Sequence, residues 1–484
     1  MKAVLLAGAT ALLLSGCAGV LRSHDSEMST TMQSAMSGQV DTALATLESN
    51  NKNDKDLLYF LEKGELLRLK GVHADSRDAW LSADEYIRKW EDEAKNSPEK
   101  LLGNVGSVLI NDKTRRYDGQ DYEKVALAFR IALNHAVLGD WENARIEVRK
   151  MHEREAVIAE FRAKEVETLK QEAEAKNIKT QLEDLKGYPV EMLDSPEVAG
   201  LRNGYQSAFG HYLAGFVYEV LGEPGLAAAG YRQAIELRPD VAMLKDSLAG
   251  LDRRVRNRRT KTTDTLIVVE SGRVPALKSV TLPIPVPGPY GFQLVPTSFP
   301  TIDKPQPGAL PSAIRLEAGA THDLATITSF DSMARRALKD NLPGVLVRST
   351  IRAVAKGAMQ QAVAKSDSTG FGGLLMMAAN FVTESADERM WRSLPGDVAI
   401  ARVALPPGKH SAELITAHGP RKVEFEVQGP HSIITLRTAE SGNVFLAAAT
   451  TPALPEPKIA PTNNTQVKKK TGVKARNAAR AAGR

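Results

Sequence analysis

The side chains that carry most covalent and acid–base chemistry are thinly spread in this chain. Nine histidines occur among 484 residues, and no two of them stand at a metal-ligand spacing. His152-Glu153 lacks the second histidine that a zinc-hydrolysing helix places one turn later. Ser97-Pro98-Glu99-Lys100 has the spacing of an acylatable serine with its lysine, but it reads as the opening of a helix and no Lys-Thr-Gly or Ser-Asp-Asn accompanies it. No Gly-x-Ser-x-Gly elbow occurs, and Gly370-Phe371-Gly372-Gly373 lacks the lysine and hydroxyl of a phosphate-binding loop. Paired carboxylates are plentiful on helices, where they are ordinarily solvated. The expectation is a protein that is not an enzyme, with no metal and no cofactor; a hydrolase ranks third among the readings.

The one cysteine, Cys17, is the exception. Met1-Lys2 precede an apolar run from Ala3 to Leu14, too short to cross a bilayer as a helix, and small residues then lead into the cysteine. Leu14-Ser15-Gly16-Cys17 resembles the lipobox of bacterial lipoproteins. That resemblance implies a signal peptide over residues 1–16 and a Cys17 bearing a thioether-linked diacylglycerol and an amide-linked acyl chain. Two or more chains anchor durably, at about 0.8 kcal/mol per buried CH₂. With Ala18 next, rather than the aspartate associated with inner-membrane retention, the expected address is the outer membrane, facing the periplasm. An acylated Cys17 also removes thiolate chemistry and any disulfide from the chain.

The formal charge of +5 is a property of the ends. Lys2 leaves with the signal. From Pro457 onward come Lys458, Lys468, Lys469, Lys470, Lys474, Arg476, Arg480 and Arg484 with no acid, so the remaining body carries −4. Residues 453–484 read as a disordered basic tail. A periplasmic address removes nucleic acid as its partner and leaves anionic peptidoglycan or lipopolysaccharide, with a merely solubilising tail as the alternative.

The elements that would position any site fall into two halves. Residues 17–26 read as a lipidated tether and 27–259 as almost unbroken helix. Gly215, Tyr218, Ala227, Tyr231, Ala234 and Pro239 fall at the spacing of a tetratricopeptide (TPR) repeat. The small residues let two antiparallel helices approach, the tyrosines fill the groove, and Pro239 stops the second helix. A second copy has Ala132, a Leu138-Gly139-Asp140 turn, Ala144 and Val148. A third has Gly64, Leu67, Trp80 and Ala83, with a half-repeat over Gln39 to Asn50 before it. Ser97-Pro98-Glu99 and Ser195-Pro196-Glu197 read as capped helix starts. A long helix over about 141–186 has an apolar seam that thins beyond Phe161, and its end either packs on a neighbour or projects as an arm. Arg253, Arg254, Arg256, Arg258 and Arg259 close this half, either as cations at a helix C-terminus or, with Lys468, Lys469 and Lys470, as contacts for an anionic partner.

After Thr263 the period changes to alternation. Strands are expected over Thr265 to Val269, Val274 to Ile284, Ser312 to Leu316 and Thr321 to Thr326, with the proline-rich stretch PIPVPGPYGF, then Pro296 to Pro311, as an ordered loop. Helices return from Asp331 to Leu342, stopping before Pro343, then over Val345 to Lys365 and Leu374 to Ser385. Strands resume from Asp397 to Ala449. The expected class is α+β and multidomain: a TPR-like α-solenoid, then a β-sandwich-like domain over 264–449 with a helical insert at about 330–392.

Three stretches carry a further resemblance: Tyr117-Asp118-Gly119-Gln120-Asp121-Tyr122-Glu123-Lys124, Ala144 to Arg149, and Trp391-Arg392-Ser393-Leu394-Pro395 followed by Ala401 to Gly408. With them, from the lipobox to about Ala449, the chain resembles an uncharacterised family of TPR-bearing outer-membrane lipoproteins of Gram-negative bacteria. The resemblance implies location and architecture and supplies no catalytic residues. The expected function is a non-enzymatic scaffold, held to the membrane by lipid, whose TPR groove binds envelope proteins. The alternative is a regulator or chaperone of cell-wall synthesis or of secretion and surface-assembly machinery.

Overall fold

The computed structural model describes residues 24–52, 55–102, 116–175, 187–256, 261–288, 291–304, 310–317, 319–366, 386–439 and 442–447. The class is α+β, a helical N-terminal region followed by strands. Cys17, Arg258, Arg259, the helix expected at Leu374 to Ser385, the end of the long helix and the basic tail with Lys468, Lys469 and Lys470 lie outside the described residues. The described residues form one compact unit.

The helical region is a series of antiparallel pairs: α1 (His24–Met36) with α2 (Val40–Asn50), α3 (Leu57–Leu69) with α4 (His73–Asn96), and, after the short α5 (Pro98–Leu102), α6 (Asp121–Val137) with α7 (Trp141–Ala175). A 3₁₀ turn and α8 (Pro196–Ala199) lead to α9 (Ala208–Leu221) and α10 (Pro224–Leu237), then α11 (Ala242–Ala249) and α12 (Leu251–Arg256). The ends are set locally. Asp56 caps α3 by accepting from the Tyr59 amide, Ser207 caps α9 through the Gly210 amide, and Gly222 at φ +79° closes α9 in a conformation that favours glycine. Missing side chains set the approach of paired helices. A Cβ on Gly64 would stand 2.2 Å from the Trp80 indole, and one on Gly230 would stand 2.7 Å from the Gly215 nitrogen. α6 is the axis of the unit, with all seventeen residues buried.

Two sheets follow. The first has the order β11-β10-β1-β7-β6 and the second β5-β4-β8-β9, from β1 (Thr263–Ser271), β4 (Ala313–Leu316), β5 (Thr321–Asp323), β6 (Ala325–Ser329), β7 (Asp397–Leu405), β8 (Gly408–Thr416), β9 (Gly419–Val427), β10 (His431–Thr438) and β11 (Val444–Ala447). β1 runs parallel to β10 and antiparallel to β7. Its Leu266 and Val268 join the helical core, and Ile267 and Val269 join the apolar layer shared with Leu414, Val423 and Phe425 of the second sheet. A strand covered on both faces needs apolar residues at every position, hence the run LIVV.

Five expectations are corrected. Residues 24–26, expected in the tether, belong to α1 (His24–Met36), and Asp25 is ion-paired at 2.9 Å with Arg392. The proline-rich loop is a two-stranded ribbon, β2 (Leu277–Gly288) with β3 (Gly291–Ile302). Asp303 N donates to Ala276 O, which puts the hydrogen-bonded pairs at even positions of β2. Pro283, Pro285, Pro287, Pro296 and Pro300 all occupy the other class, whose amides face outward, so their missing N–H groups cost the ladder nothing. Helix α13 (Phe330–Ser366) runs through Pro343 unbroken, because Leu342 and Leu346 are buried on either side and offset a penalty of about 3 kcal/mol. The strand expected over Thr321 to Thr326 is two strands in different sheets; the chain changes sheet at Leu324, whose amide donates to Ser312 O. Arg254 is the fifth and is described with the site.

Candidate functional site

The sequence of α3, LLYFLEKGELLRL, sets Glu62, Glu65 and Arg68 among apolar residues on a helix that is buried nearly all round. Burying an ion demands a partner, and each of the three finds one across the fold. Glu62 accepts from two consecutive backbone amides, Arg392 N at 2.7 Å and Ser393 N at 3.0 Å. Glu123, on the first turn of α6, accepts from the amide before them, Trp391 N, at 2.6 Å. Its other oxygen accepts from the Tyr117 hydroxyl at 2.5 Å and from Gln120 N at 2.9 Å, the second being the capping bond of α6 itself. Two fully buried carboxylates thus hold three successive amides of an irregular strap over residues 386–396, which turns at Arg392 and Ser393. The Trp391 ring meets Trp80 edge-on at 5.8 Å and donates to Ser393 Oγ at 3.0 Å. The Arg392 side chain reaches Asp25 and the Val274 carbonyl. Burial pushes the Glu123 carboxyl up to about 7, against the opposing pull of its three donors.

Beside the strap, Arg130 of α6 lies between Glu65 and Glu270 of β1, and Arg68 pairs with Glu270 at 2.7 Å. Arg437 of β10 completes the group by donating to Gly272 O at 2.6 Å. All five side chains are buried. Burial opposes ionisation of Glu270, yet the three guanidinium groups hold it well below the usual carboxylate range. A second clamp joins the helices to the sheet. Arg402 of β7 meets Glu219 of α9 at 2.8 Å, Tyr231 Oη at 3.0 Å and Asp264 of β1, while Arg254 holds Glu219 at 2.6 Å. Burial opposes these partners too, but they hold Glu219 down at about 2. Arg254 is therefore consumed internally and does not offer its charge to an anionic partner, whereas Arg253 and Arg256 are exposed.

A cavity of about 240 Å³ opens between α4, α6, α7, α13 and the ribbon, lined in part by Trp90, Tyr117, Lys124, Phe161, Arg162 and Arg348. Its cations are matched. Lys124 donates to Gly119 O at 2.7 Å and meets Asp121 at 3.1 Å over the Trp90 ring, Arg162 pairs with Asp121 at 2.6 Å, and Arg348 with Glu165 at 3.2 Å. Burial lowers the Lys124 ammonium below its usual range. Elsewhere Glu155, His211 and His152 form a row between α7 and α9, with 3.3 Å from Glu155 to His211 and 3.2 Å between the imidazoles. The row resembles a proton relay, but neither ring lines this cavity. No group of three His, Cys, Asp or Glu among the described residues could hold a metal.

The expected packing residues Gly215, Tyr218, Ala227, Tyr231 and Ala234 meet along α9 and α10, Pro239 follows α10, and Ala132 and Ala144 are buried between α6 and α7. Tyr231 also enters the Arg402 clamp. Sequence reasoning passed over Glu62, Glu65, Arg68, Glu123, Arg130, Glu270 and Arg437, although a charge inside an otherwise apolar helix or strand was a readable signal. The arrangement binds a peptide backbone and ties helices to sheet. No protein-family model matches the chain, and no curated protein matches it.

Proposed function

We propose that this is an outer-membrane-anchored periplasmic lipoprotein, resembling the TPR-bearing lipoproteins of Gram-negative bacteria, that acts as a non-enzymatic scaffold for envelope proteins. In this reading the helix pairs are a TPR-like solenoid over 27–259, and the two sheets are a β-sandwich-like domain over 264–449 docked on it. The observation that carries the scaffold reading is the fate of the buried charge. Glu62, Glu65, Glu123, Glu219 and Glu270 are spent on amides and arginines of the same chain, which supports a platform held together by its own charges. The strap already lies across α3 and α6, so the partner surface belongs on the outer side of the array. There Ile146 of α7 is 57% exposed and Leu226 of α10 is 48% exposed, close in sequence to the Arg145–Glu223 ion pair that bridges the two helices.

A photo-crosslinking residue in place of Ile146, activated in intact cells, tests the reading. One or a few envelope proteins captured there, and lost with Leu226→Asp, is the expected result. Capture of many unrelated unfolded clients instead points to a chaperone, and capture of a cell-wall synthase alone points to a regulator. Recovery of the protein from cytosol, or an unacylated Cys17 by mass spectrometry, would overturn the anchored scaffold.

A further inference from the structure

We propose that the distal half of the β2–β3 ribbon inserts into the interfacial layer of a lipid bilayer. Four observations converge on this. From Ser279 to Ile302 the chain has no Asp, Glu, Lys, Arg or His, although a quarter of all its residues are charged. The register sets Pro283 opposite Pro296 and Pro285 opposite Leu294, so these four share one face.

That face is covered at the base of the ribbon, where Leu277, Ser298 and Ile302 are buried. It emerges toward the turn, where Pro283 and Pro285 are exposed and Leu294 is 64% exposed. The opposite face remains seated in the core through Ile284, Val295 and Phe299.

The backbone supplies the fourth observation and decides between lipid and a protein groove. A two-stranded ribbon has two free edges, whose outward N–H groups are costly in lipid because nothing there accepts them. On this ribbon the outward-facing class contains Pro283, Pro285 and Pro287 on one strand and Pro296 on the other. Those positions have no N–H to satisfy. A groove that added a strand along the β2 edge would need the very donors that proline removes there. Absence of charge, together with a β2 edge that has no donor at 283, 285 or 287 and a β3 edge that lacks one at 296, suits an apolar, non-hydrogen-bonding phase.

The inference rests on the lipid-anchored reading only for which membrane is engaged. The test separates the two. The full chain carrying Leu294→Cys is labelled with an environment-sensitive thiol dye. One dye per chain reports a blocked Cys17. Two dyes report a free Cys17, which fails the anchor reading alone, and the measurement then proceeds in a Cys17→Ser background. In vesicles of phosphatidylethanolamine and phosphatidylglycerol, the dye at 294 should shift to the blue and be quenched by bilayer-borne nitroxides, with no loss in 0.5 M salt (about a 4 Å screening length). A dye at Ile146→Cys should report water. Leu294→Asp, read by a dye at Pro283→Cys, should lower the embedded population roughly tenfold or more. A dye at 294 that stays aqueous on vesicles overturns the proposal. So does a shift abolished by salt, or one produced only by an added envelope protein.

Discussion

Replacing Glu123 by glutamine should remove one specific component of the pH dependence of stability. The carboxyl of Glu123 is fully buried and rises from 4.5 to about 7 on folding, because burial outweighs the bonds it accepts from Tyr117, Gln120 and Trp391. A raised carboxyl binds a proton more readily in the folded state, so unfolding releases it between the two values and stability falls as pH rises through that window. At 1.36 kcal/mol per unit, a rise of that size corresponds to about 3 kcal/mol between pH 4.5 and 7. Other groups titrate nearby: burial lowers His135 and His152, and they act in the opposite sense. The informative quantity is therefore the difference between wild type and Glu123→Gln, from urea unfolding at half-unit steps from pH 4.5 to 8. The wild-type advantage should shrink by about 2–4 kcal/mol across the range and level off above pH 7. Parallel curves would show that Glu123 has the same proton affinity in both states, and the account of the strap as a buried-carboxylate lock would be wrong.

Gly230→Ala places a methyl 2.7 Å from the Gly215 nitrogen, backbone that cannot turn aside, and should cost about 1–3 kcal/mol in urea unfolding. Arg402→Ala leaves Glu219 with Arg254 and Tyr231 alone and Asp264 without its guanidinium partner, and should cost about 2–3 kcal/mol at pH 7, with Arg402→Lys rescuing little because one ammonium cannot span Glu219, Asp264 and Tyr231. Glu219 is held down at about 2, so its stabilisation is present above pH 4.5 and lost as pH falls toward 2; without Arg402 the folded state binds that proton more readily, so the stability of Arg402→Ala should fall less steeply than wild type between pH 4.5 and 2 in urea unfolding. Ser207→Ala removes the cap of α9 and its hydroxyl contact with Thr328 of β6, with an expected loss of about 1 kcal/mol by thermal unfolding.

Local chemistry made much of the architecture legible. Caps such as Ser195, stops such as Pro239 and the glycines at paired-helix contacts act over a few residues, so the sequence of helices and then strands follows from them directly. The proline-rich ribbon was not legible, because whether proline breaks a strand depends on which way each amide faces. That is a matter of register with a partner strand, and here all five prolines fall in the outward class. Pro343 was misread for a related reason: a helix breaker is tolerated when Leu342 and Leu346 are buried on both flanks, and burial is settled by neighbours distant in sequence.

By itself, then, the chain determined its helix pairs and its apolar strands, since these depend on spacing of 2, 3 or 4 positions and on neighbours within one turn. Only the tertiary structure decided where charge goes. Glu123 meets Trp391 across 268 positions and Arg402 meets Glu219 across 183. A buried ion is tolerable only beside its counterpart, and which counterpart arrives is a property of the folded chain, with no local pattern to announce it.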